Sequence, residues 1–192
     1  VVALRPHWTV SDLLPASDLA GGRNPSTSDQ VMSFDTARHM FETRWLLHRA
    51  TGEKTWLREG DVTLMDAGNF VLAPGSAVLF RAAESRSLVF VGQVRTVPCR
   101  HVLASGAQLI GSGWPVEGAW NSHGFGEIAA DSSETSDRLR IWAGDHREEA
   151  KDYWQYRLVR DASGSLTWHA ESAQAPVAPV WKAFGGVFFV NP

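Results

Sequence analysis

Short runs in which apolar and polar residues alternate dominate this chain, and long stretches with helical periodicity are absent. In "FETRWLLH" the residues Phe41, Thr43, Trp45 and Leu47 fall on one face, as a pleated strand requires. The pattern predicts an all-β protein built from antiparallel strands with only short helical turns. The predicted strands are residues 1–5, 30–35, 41–49, 54–58, 69–73, 76–82, 108–112, 138–143, 152–159, 165–169 and 186–190.

Turn residues separate these runs. "TGEK" (51–54) and "ASGS" (162–165) lie between paired runs, where hairpin turns are expected, and each contains a glycine that can adopt positive φ. Helix is predicted only as one or two turns at 9–14, 116–121 and 146–151.

The two halves of the chain resemble each other in order. "SDQVMSF" (28–34) matches "SDRLRIW" (136–142), and Ser136 lies 108 residues after Ser28. Trp114 follows Trp8 by 106 residues, and Trp168 follows Trp56 by 112. "APGSAVLF" (73–80) matches "AFGGVFFV" (183–190) at an offset of 110. Four landmarks within a narrow band of offsets indicate an internal duplication of a unit the size of a small domain.

The predicted organisation is a first β unit at 1–86, a connecting strand segment at 87–106 and a second β unit at 107–192, packed as a sandwich or as small distorted barrels. The segment 87–106 occurs only once. By the offsets, each unit lacks one flanking strand that the other has, which favours head-to-tail strand pairing between copies. The alternatives are that residues 87–94 serve both units, or that flanking residues lie outside this chain.

Composition narrows the classes of function. The 192 residues carry a net charge of −3 and no long basic block, which argues against a nucleic-acid partner. No apolar run approaches the roughly 18 residues needed to span a bilayer. Cys99 is the only cysteine, so neither an internal disulfide nor a thiolate zinc cluster can form, and we predict that Cys99 is a buried or half-buried free thiol.

Sequence signatures of chemistry are weak. The seven histidines show no metal-ligand spacing, and no G-x-S-x-G, Walker or dinucleotide-binding motif occurs. Asp29 and Asp137 recur at matching positions, where they either bind calcium or, more commonly, accept hydrogen bonds from turn amides. We predict no catalytic residue, metal site or cofactor.

Nine tryptophans ask for an explanation. Those that repeat between the halves are predicted to be core residues, because each unit must bury the same face: Trp8, Trp56, Trp114 and Trp168. An aromatic group in the second unit is the predicted ligand- or partner-binding surface, since neighbouring strand positions face opposite ways. Its residues are Tyr153, Trp154, Tyr156 and Trp181.

The order "LIGSGWPV", "SDRLRIW", an aromatic strand, "LTW" and "AFGGVFF" resembles an uncharacterised family of exported bacterial proteins of the planctomycete and verrucomicrobial type. It is also similar to surface-protein β modules with the pattern "NLIGNPYP … W … PGQGFF". "GSGWPV" (111–116) stands in place of G-N-P-Y-P, and "APGSAVLF" (73–80) in place of P-G-Q-G-F-F; "AFGGVFF" (183–189) lacks the proline. The resemblance implies an exported all-β protein and no particular chemistry.

The sequence therefore predicts a secreted or cell-surface, non-catalytic structural or interaction module of a bacterial extracellular assembly. Its expected partner is a protein, either a second copy or another surface component, rather than a glycan. One alternative is a carbohydrate-binding module that uses exposed Trp and Tyr. A second alternative is a hydrolytic enzyme.

Overall fold

The computed structural model shows an all-β protein in two compact units, residues 1–93 and 94–192. It describes residues 7–90, 103, 105–111, 117–120, 136–142, 153–173, 175–176, 178–181 and 186–191, with the backbone alone at 142, 181, 186 and 191.

The first unit begins with a short helix and continues as a four-stranded sheet. Helix α1 spans Val10–Leu13 and starts at a capping box, in which Thr9 Oγ1 accepts a hydrogen bond from the Asp12 amide and Asp12 Oδ2 accepts one from the Thr9 amide. Two 3₁₀ turns follow, at Ala16–Asp18 and Pro25–Thr27. The antiparallel sheet has the order β3-β2-β1-β4, and its strands are β1 (Gln30–Asp35), β2 (Met40–His48), β3 (Lys54–Arg58) and β4 (Val78–Arg81).

The second unit contains a five-stranded antiparallel sheet of order β5-β11-β7-β8-β9 and a two-stranded ribbon of β6 with β10. The strands are β5 (Gly106–Gly111), β6 (Gly118–Ala119), β7 (Arg138–Trp142), β8 (Tyr153–Arg160), β9 (Leu166–Ala170), β10 (Val180–Trp181) and β11 (Gly186–Asn191).

The duplication is visible in the strand register. Val31 pairs with Arg44 in the first unit, and Leu139 pairs with Tyr156 in the second. The Leu46–Trp56 pair corresponds to Leu158–Trp168 at one offset of 112. The two hairpins also match, because Gly52 and Gly164 have φ of 88° and 86° and donate to the carbonyls of Arg49 and Asp161. One backbone plan therefore underlies both sheets.

The last repeated strand differs from the sequence alignment by one residue. Val31 pairs with Phe80, and Leu139 pairs with Phe189, so β4 and β11 correspond at an offset of 109 instead of 110. A slip of one residue exchanges the two faces of a strand. The register makes Phe80 of the first unit equivalent to Phe189 of the second, and both side chains contribute to the cores of their units.

Each unit has its own apolar core on one face of its sheet. In the first unit α1 and the following 3₁₀ turn lie against the sheet, and the buried residues are Val10, Leu14, Leu19, Val31, Leu46 and Trp56. In the second unit they are Ile110, Trp120, Leu139, Ile141, Tyr156, Leu158, Trp168, Val187 and Phe189. Trp120 and Trp168 meet edge to face, with ring centroids 6.2 Å apart.

Several sequence-based predictions were wrong. Residues 69–73 form no strand and contribute only an isolated bridge between Val71 and Thr9. The predicted helical turn at 116–121 contains the two-residue strand β6. Trp8 is 51% exposed and is not among the core residues of the first unit. It lies just before the helix cap, where its backbone carbonyl accepts a hydrogen bond from the Leu72 amide.

Other predictions fall outside the described residues: the strand at 1–5, Trp114, Cys99, the helical turn at 146–151 and most of the connecting segment 87–106, of which residues 87–90 are in no strand. The described helices are at most four residues long, and none of them has the length and apolar character needed to cross a membrane.

Candidate functional site

The predicted aromatic surface divides between the two faces of β8. Tyr156 is fully buried in the core of the second unit, and Trp154, on the same face, is half-buried and packs against that core. Tyr153 lies on the opposite face, half-buried, with the Arg140 guanidinium 5.1 Å from its ring centroid. Trp181 lies in β10, paired with Gly118 of β6.

The expectation of an exposed Tyr156 was therefore wrong. Tyr156 follows Trp154 by two residues, so a strand turns both side chains to the same face, which here is the core. Burial raises the pKa of the Tyr156 hydroxyl, and this hydroxyl has no hydrogen-bond partner in the described part of the chain. Only Tyr153 of the three residues on β8 presents its ring to the opposite face.

A surface that the sequence reading missed lies between β3 and β4. Residues 61–71, called the apolar loop below, expose large apolar side chains at Val62, Leu64, Met65, Phe70 and Val71. Val62 is 92% exposed and Met65 is 69% exposed. Trp8 adjoins this loop, because the Leu72 amide donates to the Trp8 carbonyl at 2.7 Å. Adjacent exposed apolar side chains of this kind mark interaction surfaces.

Both ends of the apolar loop are fixed by hydrogen bonds. At the start, Asp61 Oδ1 accepts bonds from the Thr63 amide and hydroxyl at 2.8 and 2.6 Å, which lower the pKa of Asp61. Further along, the Ala67 amide donates to the Trp56 carbonyl at 2.7 Å, and the Gly68 and Phe70 carbonyls accept from α1 at 3.0 Å each. The tip, Val62–Met65, is thus held out from an anchored base.

Two backbone features support this anchored conformation. Leu64 has φ of 54°, a left-handed conformation that is uncommon for a branched residue. Such a conformation persists only where surrounding contacts impose it. At Gly68 any Cβ would lie 2.0 Å from Ser11 Oγ, so a larger residue would have to displace the Ser11 hydroxyl where the loop approaches α1. The loop presents its apolar tip in a defined shape.

Among its described residues, the second unit has no matching apolar tip. Arg58 and Val78 are 20 residues apart, whereas the equivalent Ala170 and Val187 are 17 apart, so the second connection is shorter by three residues. Its sequence "ESAQAP" (171–176) replaces "EGDVTLMD" (59–66). The sequence did contain a signal for this loop. Aliphatic residues lie between Asp61 and Asp66 in a turn region, and they do not alternate with polar residues as they would in a strand.

A charged cluster surrounds Arg44 of β2, beside the core of the first unit and next to the apolar loop. Arg44 is buried and donates to Ser33 Oγ at 2.9 Å and to Glu42 Oε2 at 3.2 Å, and its guanidinium lies 3.4 Å from the Phe70 ring centroid. Glu42 also pairs with Arg38 and Arg58. Burial lowers the pKa of Arg44, and Glu42 opposes that shift. With these partners the cluster holds Phe70 and the base of the loop.

The repeated aspartates are both buried but differ in their partners. Asp29 accepts from the Ala20 and Ala83 amides at 2.8 and 2.7 Å and lies 3.4 Å from Arg86. This agrees with the hydrogen-bonding interpretation of the sequence. Asp137 has no such bond among the described residues, and burial raises its pKa to about 6.

A second surface distinguishes the second unit. Arg138, Arg140 and Arg157 lie on the face of β7 and β8 that points away from the core, and we call them the arginine face. Arg138 is directly opposite Arg157, and like charges in that position destabilise a sheet. Arg157 Nε lies 3.4 Å from Glu171 Oε1, and Arg140 donates to Gln155 at 3.2 Å.

Comparisons of the chain with protein-family models, curated proteins and solved structures found no match. Within the described residues no group of His, Cys, Asp and Glu is placed to hold a metal ion. The apolar loop and the arginine face are therefore the candidate sites that the geometry itself provides.

Proposed function

We propose that this protein is a non-catalytic interaction module that binds another protein through the apolar loop of its first unit. The observation that carries this proposal is the combination of an exposed apolar tip with an anchored base. Val62 and Met65 project apolar area into solvent, while hydrogen bonds to Trp56 and α1 fix the loop at its base. A preformed loop loses little conformational entropy on binding, so more of its contact energy appears as affinity.

The chemistry of the tip favours a protein partner over a glycan. Aliphatic side chains fill apolar pockets on proteins, whereas sugar rings stack on flat aromatic faces. The tip residues are aliphatic, and the Tyr153 ring on the other unit has a guanidinium near its face. The setting that we propose, a bacterial surface or extracellular assembly, is the one implied by the family resemblance.

Carbohydrate binding is the second candidate, and one observation favours it. Trp8 is 51% exposed beside Val71, so an indole face is available next to the loop. An exposed tryptophan of this kind could stack on a sugar ring.

Three immobilised baits test the proposal. They are the wild type, a tip variant with Val62→Ser and Met65→Gln, and a control variant with Val89→Ser and Met40→Gln, which changes two other exposed residues of the same types. Surface and secreted proteins of the native host are passed over each bait and quantified by mass spectrometry. We expect proteins that the wild type and the control retain and the tip variant loses.

Equal retention by all three baits would contradict the proposal. A glycan array run in parallel separates the second candidate: binding that Trp8→Ala abolishes and the tip variant keeps would establish a carbohydrate-binding module instead.

A further inference from the structure

We propose that the partner of the apolar loop is a second copy of this chain, whose arginine face receives the loop. This inference rests on the proposed function, since it assigns a partner to the loop named there. Two observations support it. The two surfaces carry opposite charges, and the equivalent positions of the other unit carry uncharged or balanced residues.

The apolar loop and its approach are acidic. The segment 59–71 contains three acidic residues and no lysine or arginine. The acidic residues are Glu59, Asp61 and Asp66. All three residues are at least partly exposed, and Asp61 and Asp66 use one carboxylate oxygen each for their own turns. The tip therefore presents aliphatic side chains inside a rim of negative charge.

The arginine face has the complementary character. Its three guanidinium groups lie on adjacent strands, and within the described ranges one of them, that of Arg157, pairs with a carboxylate, that of Glu171. Arg138 Nε is buried and has no hydrogen-bond acceptor in the described part of the chain, so any new contact must reach the outer nitrogens of its guanidinium. Tyr153 adds an aromatic ring beside Arg140. Leu109, toward the β5 edge of this face, is buried, whereas Arg138, Arg140, Tyr153 and Arg157 over β7 and β8 are partly exposed.

The duplication shows that neither surface is needed to build the fold. At the positions of Arg138, Arg140 and Arg157 the first unit has Gln30, Met32 and Trp45, which carry no charge. At the positions of the acidic loop, the second unit has the shorter "ESAQAPVAPVWKAF", in which Glu171 and Lys182 balance. The first unit has the same strand register without these charges. The fold therefore does not require them, and we assign them to recognition.

Electrostatic complementarity selects the partner, and the apolar tip supplies buried area. Arginine and tyrosine are residue types that are enriched at protein interfaces. Opposite charges on the two surfaces would steer the encounter and fix its orientation. Because every copy carries one loop and one arginine face, the contact is heterologous and extends to chains of several copies unless it closes into a ring.

Sedimentation velocity from low to high micromolar concentration tests the proposal with three variants. The tip variant Val62→Ser/Met65→Gln removes apolar area without changing charge. The face variant Arg138→Gln/Arg140→Met installs the residues that the first unit has at those positions, so the backbone accepts them. The control Arg23→Gln/Arg81→Gln removes two exposed arginines elsewhere. Thermal unfolding confirms that each variant is folded.

We expect the wild type and the control to grow in size with concentration and the tip and face variants to associate at least about tenfold more weakly. A mixture of the tip and face variants should form a dimer and stop there, because the mixture offers one intact loop to one intact face. Raising the salt concentration should weaken the wild-type association, since exposed charges are screened.

A wild type that is monomeric at every concentration would overturn the inference, as would a mixture of the two variants that stays monomeric. If the baits described above still lose proteins with the tip variant, the proposed function stands and only the identity of the partner is wrong. If the face variant loses binding to a soluble polyanion while the size of the wild type never changes, the arginine face is an anion site and the self-association is again overturned.

Discussion

The two units share one strand register but distribute charge in opposite ways. On the core side of the sheet, the first unit has Glu42, Arg44 and Arg58 where the second has Trp154, Tyr156 and Ala170. On the other side, the first unit has Gln30, Met32 and Trp45 where the second has the arginine face. An ionic cluster around the buried Arg44 in one copy thus takes the place of Trp154 and the buried Tyr156 in the other, while the charge on the opposite face follows the reverse pattern.

This comparison separates what the fold requires from what it tolerates. On the core side, the positions that stay apolar in both units include Val31 with Leu139, Leu46 with Leu158, Trp56 with Trp168 and Phe80 with Phe189. Burial of these residues on one face is sufficient to specify the register. Other positions diverged between the two units, and they include the two surfaces that we assign to binding.

The largest effect is expected at the shared tryptophans. Trp56→Ala and Trp168→Ala should each lower the free energy of unfolding by ~3–5 kcal/mol, because each removes a buried indole from the centre of a core. Urea denaturation followed by circular dichroism measures the loss.

Trp8→Ala is the matched control for that experiment. Its side chain is 51% exposed, so we expect a cost below about 1 kcal/mol. A loss below about 1 kcal/mol at Trp56 or Trp168 would break the equivalence of the two cores.

The sequence predicted the duplicated strands because each has a strong local pattern. β1 and β3 were placed with their observed bounds, and the hairpin turns followed from glycine. Trp8 shows where this reasoning stops. Repetition between the two halves indicates a shared position, but a residue just before a helix cap can repeat without being buried.

The candidate sites were harder to predict. Alternation says that neighbouring residues of β8 face opposite ways, but it does not say which face is the core, so Tyr156 was assigned to the surface. The apolar loop lacks any period, and its exposure depends on tertiary bonds from Ala67 and Gly68 to residues far away in the sequence. The arginine face depends on pairing Arg138 with Arg157 across two strands.

The ionic cluster should respond asymmetrically to mutation. Glu42→Gln removes the carboxylate that three arginines share and leaves Arg44 buried without a counter-charge, at an expected cost of about 3 kcal/mol. Arg44→Met should cost about 1 kcal/mol, because Glu42 keeps Arg38 and Arg58 and an apolar residue suits the position that Tyr156 has in the other unit. Chemical denaturation compares the two, and a larger loss for Arg44→Met would contradict the comparison.

Asparagine substitutions at the two repeated aspartates should change the free energy of unfolding in different directions. Asp29→Asn removes a carboxylate that accepts two backbone bonds and pairs with Arg86, so we expect a loss of about 2 kcal/mol. Asp137→Asn should be neutral or stabilising above pH 6, since it removes a charge that burial disfavours.

The pH dependence follows from the same difference. Burial raises the pKa of Asp137 to about 6, so between pH ~4 and ~6 the folded state binds more protons than the unfolded state. The contribution of Asp137 to stability is therefore fully present below pH ~4 and is lost as the pH rises to ~6, by about 1–3 kcal/mol. Denaturation of the wild type and Asp137→Asn at several pH values measures it, and an identical slope in both proteins would rule this assignment out.

The smallest effect is expected at the hairpin turns, and it tests the shared register most directly. Gly52 and Gly164 have φ near 87° (88° and 86°), and no atom lies within 4 Å of a Cβ built on either. Gly52→Ala and Gly164→Ala therefore meet no steric neighbour, and the cost, about 1 kcal/mol each, comes from the left-handed backbone alone. Asparagine, which tolerates this conformation better, should cost less at both sites. Because the strain is the same, the two alanine variants should agree to within about 0.5 kcal/mol in urea denaturation, and a clear inequality would mean that the two hairpins differ in solution.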